Sequence, residues 1–205
     1  ELLVELMANP DTIDFGKEII PQAINEHKTM SYPYEGYWTD IGTIDSFFEA
    51  NIGLTEDIPK FNLYDDNRVF TRPRILPTSK FSGTILNKTV IADGCIINAE
   101  KIEKSVIGIR SKIGEQSVVT NTYMMGNDNY ESLEQIENNN IEIQIGIGDR
   151  CVINKCIIDK NVRIGDDCKI SGGSHLKDIE TDLYQVKDGI VIIKKGAILP
   201  KGTII

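Results

Sequence analysis

From about residue 81 the aliphatic residues keep a six-residue beat. Ile85, Ile91 and Ile97 set it, and Ile107, Ile113, Val119 and Met125 resume it after a phase shift through Ile102. It stops at Gly126 and returns at Ile147, Ile153 and Ile164, then closes with Ile193 and Leu199. Units such as Ile113-Gly114-Glu115-Gln116-Ser117-Val118 and Ile164-Gly165-Asp166-Asp167-Cys168-Lys169 add a glycine after the aliphatic residue and a small fifth residue. A period of six is neither the 3.6 of a helix nor the 2 of a simple strand, and it repeats as a unit.

Each such unit predicts one short strand and one turn, with three units closing a triangular coil. The aliphatic residue points inward and stacks on its counterpart in the next coil. The small residue (Cys95, Ser111, Ser117, Cys151, Cys168, Ala197, Thr203) fits the crowded inside corner. A coil buries its face only against its neighbours, so several must stack, and the clear units give roughly three to five coils. The beat therefore predicts a left-handed parallel β-helix of hexapeptide repeats over residues 81–205. Two stretches interrupt it. Residues 126–146 are polar and Asn-rich with a helical piece near Tyr130–Ile136, and residues 171–190 include Gly172-Gly173. Long insertions in a solenoid are surface excursions and often functional.

The first 55 residues have a different texture. Leu2, Leu3, Leu6 and Met7 make a helical stripe that Asn9-Pro10-Asp11 breaks. Gly16 to Ile24 predicts a short helix interrupted at Pro21. The aromatic run from Ser31 to Trp38 predicts a strand or hairpin. Thr43 to Leu54 predicts a helix capped by Thr43, with Ile44, Phe47, Phe48 and Ile52 on its apolar face. Residues 56–80, with prolines at 59, 73 and 77, predict an irregular connector. The expected organisation is thus a mixed α/β segment over 1–55, a connector over 56–80 and an all-β solenoid over 81–205.

Composition narrows the function. A formal net charge of −9 disfavours nucleic acid, because neutralising phosphates needs a basic surface, so anion binding must come from a local basic cluster. No apolar run is long enough to span a membrane. The four cysteines form no C-x-x-C pair and read as reduced core residues. The chain opens at Glu1 inside a helical pattern, which reads as a piece of something longer. His175, after Gly172-Gly173-Ser174, could serve as the base of a hexapeptide acyltransferase, but no matching motif surrounds it.

The upstream residues favour another class. Tyr37-Trp38-Thr39-Asp40-Ile41-Gly42-Thr43, followed by Phe47-Phe48-Glu49-Ala50-Asn51, resembles the Tyr-Trp-x-Asp-(Ile/Val)-Gly-Thr segment of glucose-1-phosphate adenylyltransferases. Asp14-Phe15-Gly16 resembles the same family's Asp-Phe-Gly segment. Pro73-Arg74, the Ser105–Ser111 run, Met124-Met125-Gly126, Ile157–Asn161, Asp188–Val191 and Gly202–Ile205 follow in family order, closest to the cyanobacterial and plant branch.

The resemblance implies a chain made of the end of a Rossmann-like nucleotidyltransferase domain and a β-helix behind it. It implies conversion of ATP and glucose 1-phosphate to ADP-glucose and pyrophosphate, with Mg²⁺, for glycogen or starch synthesis. Asp40 would hold Mg²⁺; the alternative for it is a helix cap. Trp38, Asp14 and Phe15 would line the glucose site; the alternatives are a core role for Trp38 and a helix cap for Asp14. Arg72, Arg74, Lys160 and Lys195, approached by Asp128, would form an allosteric site for a phosphorylated metabolite or inorganic phosphate. The family is tetrameric, from identical or different subunits, and cytoplasmic or, in plants and algae, plastidic. The phosphate-cradling Gly-rich loop and a second metal aspartate would lie upstream, so this chain alone is expected to be inactive. Related sugar-1-phosphate nucleotidyltransferases and a non-catalytic regulatory subunit remain as alternatives.

Overall fold

The computed structural model describes residues 1–8, 10, 12–66, 69–137 and 141–205. Two compact units are present, Glu1–Gly36 and Tyr37–Ile205.

The first unit holds two helices. α1 spans Leu2–Leu6 and buries Leu6. The break expected at Asn9-Pro10-Asp11 falls, at Asn9 and Asp11, outside the described residues. A wide π-type turn, Phe15–Ile19, then runs into α2, Ile20–Glu26. Pro21 does not interrupt this helix as the sequence predicts. It sits in the first turn of α2, where a missing N–H costs nothing, and the wide turn before it closes through Ile20 N to Phe15 O. The strand or hairpin expected over Ser31–Trp38 is absent, and this stretch is irregular. Its rings stay in solvent, with Tyr32 and Tyr34 exposed and Pro33 removing a donor, so no partner strand is recruited.

The second unit is a parallel β-helix. Register pairs Lys80 with Ile96 and Ile96 with Lys112 on one face, sixteen residues per coil. On the other faces Ile85 pairs with Lys101 and Lys101 with Val118, sixteen and then seventeen. Coils are therefore shorter than three full hexapeptides. The strands Ile85–Ile91, Lys101–Ile107, Val118–Met124 and Val152–Ile158 each run over two faces and turn the corner between them. At that corner Lys88, Lys104, Asn121 and Lys155 all take positive φ, between 44° and 53°. One left-handed residue closes the corner in five residues instead of six.

This short corner corrects the phase of the beat in two places. Leu86, not Ile85, heads the inward column Leu86, Ile102, Val119, Ile153, Ile170, and Ile85 faces solvent. Likewise Met124 is fully buried and Met125 is turned outward. The other inward residues, Ile97, Ile113, Ile147, Ile164 and Leu199, stack as the six-residue beat predicts.

Six of the seven small corner residues are buried, Cys95, Ser111, Ser117, Cys151, Cys168 and Ala197 all at 5% exposure or less, while Thr203 is only partly buried. They also tie coils together. Ser117 Oγ donates to Gly148 O and accepts from Cys151 N, and Ser105 Oγ donates to Glu103 O and accepts from Thr122 N. A hydroxyl thus satisfies backbone groups that no strand reaches. All four cysteines are free and buried. Burial pushes the Cys151 thiol up to about 11 and Cys156 to about 12, and raises Cys95 as well. Because the thiolate is the reactive form, none of these three should react with Ellman's reagent at pH 8 in the native state. All four should titrate in denaturant; rapid native labelling of Cys156 would contradict its burial.

α3, Ile44–Ile52, continues in a 3₁₀ turn, Gly53–Thr55. Thr43 caps it as expected, within a reciprocal pair with Ser46. The helix packs on the outer face of the β-helix: Phe48 is buried against Ile157 and Ile190, and the Phe47 ring meets Tyr123 edge-on at 5.3 Å. α4, Leu133–Glu137, lies in the first excursion. That excursion is held down by Tyr130, whose hydroxyl donates to Gly94 O, and by Glu131, whose carboxylate accepts from Arg163 and from Ile145 N. The second excursion pairs Ile179–Glu180 and Tyr184–Lys187 antiparallel before Ile190–Ile193 rejoins the sheet.

Candidate functional site: a charged corner edge and an exposed Trp-Thr-Asp segment

One corner of the β-helix gathers residues that are far apart in sequence. Successive coils bring Gly94, Arg110, Asn127-Asp128, Lys160-Asn161 and Lys195-Gly196 onto a single edge. Backbone bonds link them in turn: Arg110 N to Asp93 O, Asn127 N to Ile109 O, Asn161 N to Gly126 O and Gly196 N to Lys160 O. Gly126 has φ +84°, and a Cβ there would lie 2.1 Å from Ile109 O. Only glycine brings the chain this close to the preceding coil before it leaves as the first excursion.

Asp128 is the hub of this edge. Its carboxylate accepts from Lys160 Nζ at 3.0 Å and Asn161 Nδ2 at 2.8 Å, and its own N–H donates to Asn161 Oδ1 at 2.8 Å. The Asn161 bond, then Lys160, with the charge of Lys195 beyond them, holds its carboxyl below the usual carboxylate range. Asn127 is buried, donates to Arg110 O and accepts from the Arg110 guanidinium through its own carbonyl. Arg110 also lies over the Tyr130 ring, 5.7 Å from its centroid. The edge thus brings together Asp128, Lys160 and Lys195 from the set the sequence predicts. Arg72 and Arg74 lie in the connector, exposed, and among the described residues they make no ion pair.

The sequence reading missed Arg110 and Asn161 on this edge. The available signal was positional: each is a non-glycine residue at the same turn of its coil, with φ +56° and +61°.

The second feature precedes α3. Tyr37 and Thr39 line a groove of about 410 Å³ with Ser46, Glu49 and Ala50 of α3. The alternate residues Trp38 and Asp40 are turned to solvent, Trp38 being 77% exposed, so it is not a core tryptophan here. Asp40 does not cap α3. Its Oδ1 accepts from Gly42 N at 3.1 Å, a local turn that fixes the carboxylate, and no bond within the described residues engages its Oδ2. No group of three or more metal-ligating side chains occurs among the described residues. One fixed carboxylate with a free oxygen nevertheless suits Mg²⁺, which commonly takes one or two carboxylates and completes its shell with water and substrate phosphate.

In the first unit Asp14 does act as a cap: Oδ1 accepts from Lys17 N at 2.8 Å, while Glu18 accepts from the N–H groups of Ile13 and Asp14. Phe15, next to it, is half-exposed. His175 is exposed and enters no constellation.

Two family models match this chain: a nucleotidyl transferase over residues 2–57 and the GLGC left-handed parallel beta-helix domain over residues 74–204. Over 203 residues the chain is 42% identical to the glucose-1-phosphate adenylyltransferase small subunit, chloroplastic/amyloplastic, of Triticum aestivum, covering 96% of this chain and 43% of the wheat protein. The chain belongs to the glucose-1-phosphate adenylyltransferase family. It spans less than half the length of the curated relative it matches. The handedness expected from the hexapeptide beat is that of the family's β-helix domain, and the adenylyltransferase relationship covers both units. No helix among the described residues is long and apolar enough to cross a membrane.

Proposed function

We propose that this chain is the carboxy-terminal part of an enzyme that makes ADP-glucose and pyrophosphate from ATP and glucose 1-phosphate. The observation that carries this reading is the 42% identity to the adenylyltransferase small subunit of wheat, which covers 96% of the chain. In the reaction, a phosphate oxygen of the sugar phosphate attacks the α-phosphorus of ATP. The bond from that phosphorus to the bridging oxygen breaks, and pyrophosphate leaves. Asp40 would hold Mg²⁺ through its free oxygen, and the ion would neutralise charge on the phosphates. Trp38 offers an exposed ring to the C–H face of the sugar. Asp14 and Phe15 are proposed as further sugar contacts, with one Asp14 oxygen committed to its cap. A tetramer, in the cytoplasm or a plastid, completes the proposal.

The reading is tested in the whole enzyme by pyrophosphorolysis of ADP-glucose against UDP-glucose and GDP-mannose. ADP-glucose should be preferred by at least about tenfold in kcat/KM, the scale of discrimination a built pocket provides. Equal use of the three would assign the chain to another sugar nucleotide.

For the corner edge we propose a phosphorylated metabolite or inorganic phosphate as ligand, held by Lys160 and Lys195 with Arg72 and Arg74. Lys160 must then leave Asp128, so the aspartate competes with the ligand. Asp128→Asn should therefore tighten phosphate binding, by about twofold to fivefold, the range of an exposed ion pair. Calorimetric titration with phosphate checks this, and weaker binding would mean that Asp128 itself helps hold the ligand.

A further inference from the structure

The glycine two residues after Asp40 has no conformational reason to be glycine. Gly42 is not among the glycines with positive φ, so its backbone suits other residues as well. It is also exposed. What crowds it is one side chain. A Cβ built on Gly42 would have its three nearest contacts all in the Asp40 carboxylate: Oδ2 at 3.2 Å, Oδ1 at 3.5 Å and Cγ at 3.6 Å. The same residue donates its N–H to Asp40 Oδ1 at 3.1 Å. From these observations we infer that Gly42 is a positioning residue for the metal ligand. Its N–H holds one carboxylate oxygen, and its missing side chain keeps the space beside the other open to the ion's shell. The inference deepens the reading of Asp40 as the Mg²⁺ ligand and rests on it.

The physical case has three parts. First, an aspartate that accepts the N–H two residues on forms a local turn of its own, which commits one oxygen to the backbone and leaves the second free. A hydrogen bond of this kind orients a ligating carboxylate, and losing such a partner typically costs about 10- to 100-fold in metal affinity or activity. Second, Mg²⁺ holds its oxygens at about 2.0–2.1 Å in a near-octahedral shell, so neighbouring oxygens of that shell stand about 3 Å apart. A methyl carbon 3.2 Å from Oδ2 would stand at the distance that the ion's water or phosphate oxygens require. Third, the crowding is particular to this glycine. Gly53, at the other end of α3, would place a Cβ with nothing within 4 Å. The two glycines flank one helix, and only the first is pressed against a carboxylate.

The experiment uses the whole enzyme and Mn²⁺ as the probe, with free Mn²⁺ read by electron paramagnetic resonance. Gly42→Ala keeps the N–H and adds only the methyl. It should weaken Mn²⁺ binding by about tenfold and raise the Mg²⁺ needed for half-maximal rate by a similar factor, the lower end of the range for a disturbed partner of a metal ligand. Thermal unfolding should not fall, because the backbone there suits alanine. Gly53→Ala should leave metal binding within about twofold. In an Asp40→Asn background, Gly42→Ala should add less than about twofold, since a residue that acts through Asp40 has nothing left to act on. If Gly42→Ala lowers soluble yield, Gly42→Ser takes its place at this exposed position and should show the same loss. Unchanged metal binding in the residue-42 variant, a full tenfold loss that persists in the Asp40→Asn background, or an equal loss in Gly53→Ala overturns the role of Gly42 alone. Unchanged metal binding in Asp40→Asn itself overturns the reading of Asp40 and the inference with it.

Discussion

Asp40→Asn in the whole enzyme should lower kcat for ADP-glucose synthesis by about 100- to 1,000-fold, the several kcal/mol that a metal ion contributes to a phosphoryl-group transition state. Asparagine is the informative replacement. Its Oδ1 can still accept from Gly42 N, so the local turn survives and only the charge and the second carboxylate oxygen are lost. Asp40 is exposed and makes no other bond within the described residues, so thermal unfolding should be unchanged. The apparent Mg²⁺ requirement should rise with the loss of rate. A variant with normal turnover and normal Mg²⁺ dependence would remove Asp40 from the chemistry. The family relationship would then stand, with this copy belonging to a subunit that regulates instead of catalysing.

The second large effect concerns stability. Ile153→Ala should cost about 2–5 kcal/mol, the range for deleting a fully buried aliphatic side chain. Ile153 is 0% exposed and sits in its column between Val119 and Ile170. Its neighbour Val152 points outward at 41% exposure, and Val152→Ala should change stability by less than about 0.5 kcal/mol. Urea unfolding of both variants makes the comparison. A reversed order, with Val152→Ala the costlier, would mean that the strand is shifted by one residue, since a one-residue slip exchanges the two faces.

Much of the solenoid was legible because its signal is local. Ile97, Ile113, Ile147 and Ile164 repeat an inward position that any window of the sequence shows, and the small fifth residues mark the corners. The phase errors at Ile85 and Met125 have one cause: the corner at Lys88, Lys104, Asn121 and Lys155 closes in five residues through a left-handed conformation. Lysine and asparagine there gave no glycine-like warning. α3 was legible from its cap and apolar stripe, but its docking on the β-helix was not, because Phe48 meets Ile157 and Ile190 more than a hundred residues away. The aromatic run before Trp38 misled for the opposite reason. Strand propensity reports a fit to a half-buried pleated surface, and no such surface receives Tyr32 or Tyr34. The corner edge was assembled in advance only through resemblance. Asp128, Lys160 and Lys195 fall into line once each coil is counted at its true length and the excursions are removed.

Both excursions leave and rejoin the β-helix at corners. Across the first, Val118 still pairs with Val152, and across the second, Cys156 pairs with Val191. Lengthening such a detour adds little closure entropy, and each doubling costs only about 0.6 kcal/mol. A lineage can therefore insert or delete residues after Asn127-Asp128 without disturbing a single inward isoleucine. The charged edge borders a stretch of chain whose length is nearly free to drift, so the surroundings of Asp128, Lys160 and Lys195 can diverge between descendants while the coil stack beneath them is inherited unchanged.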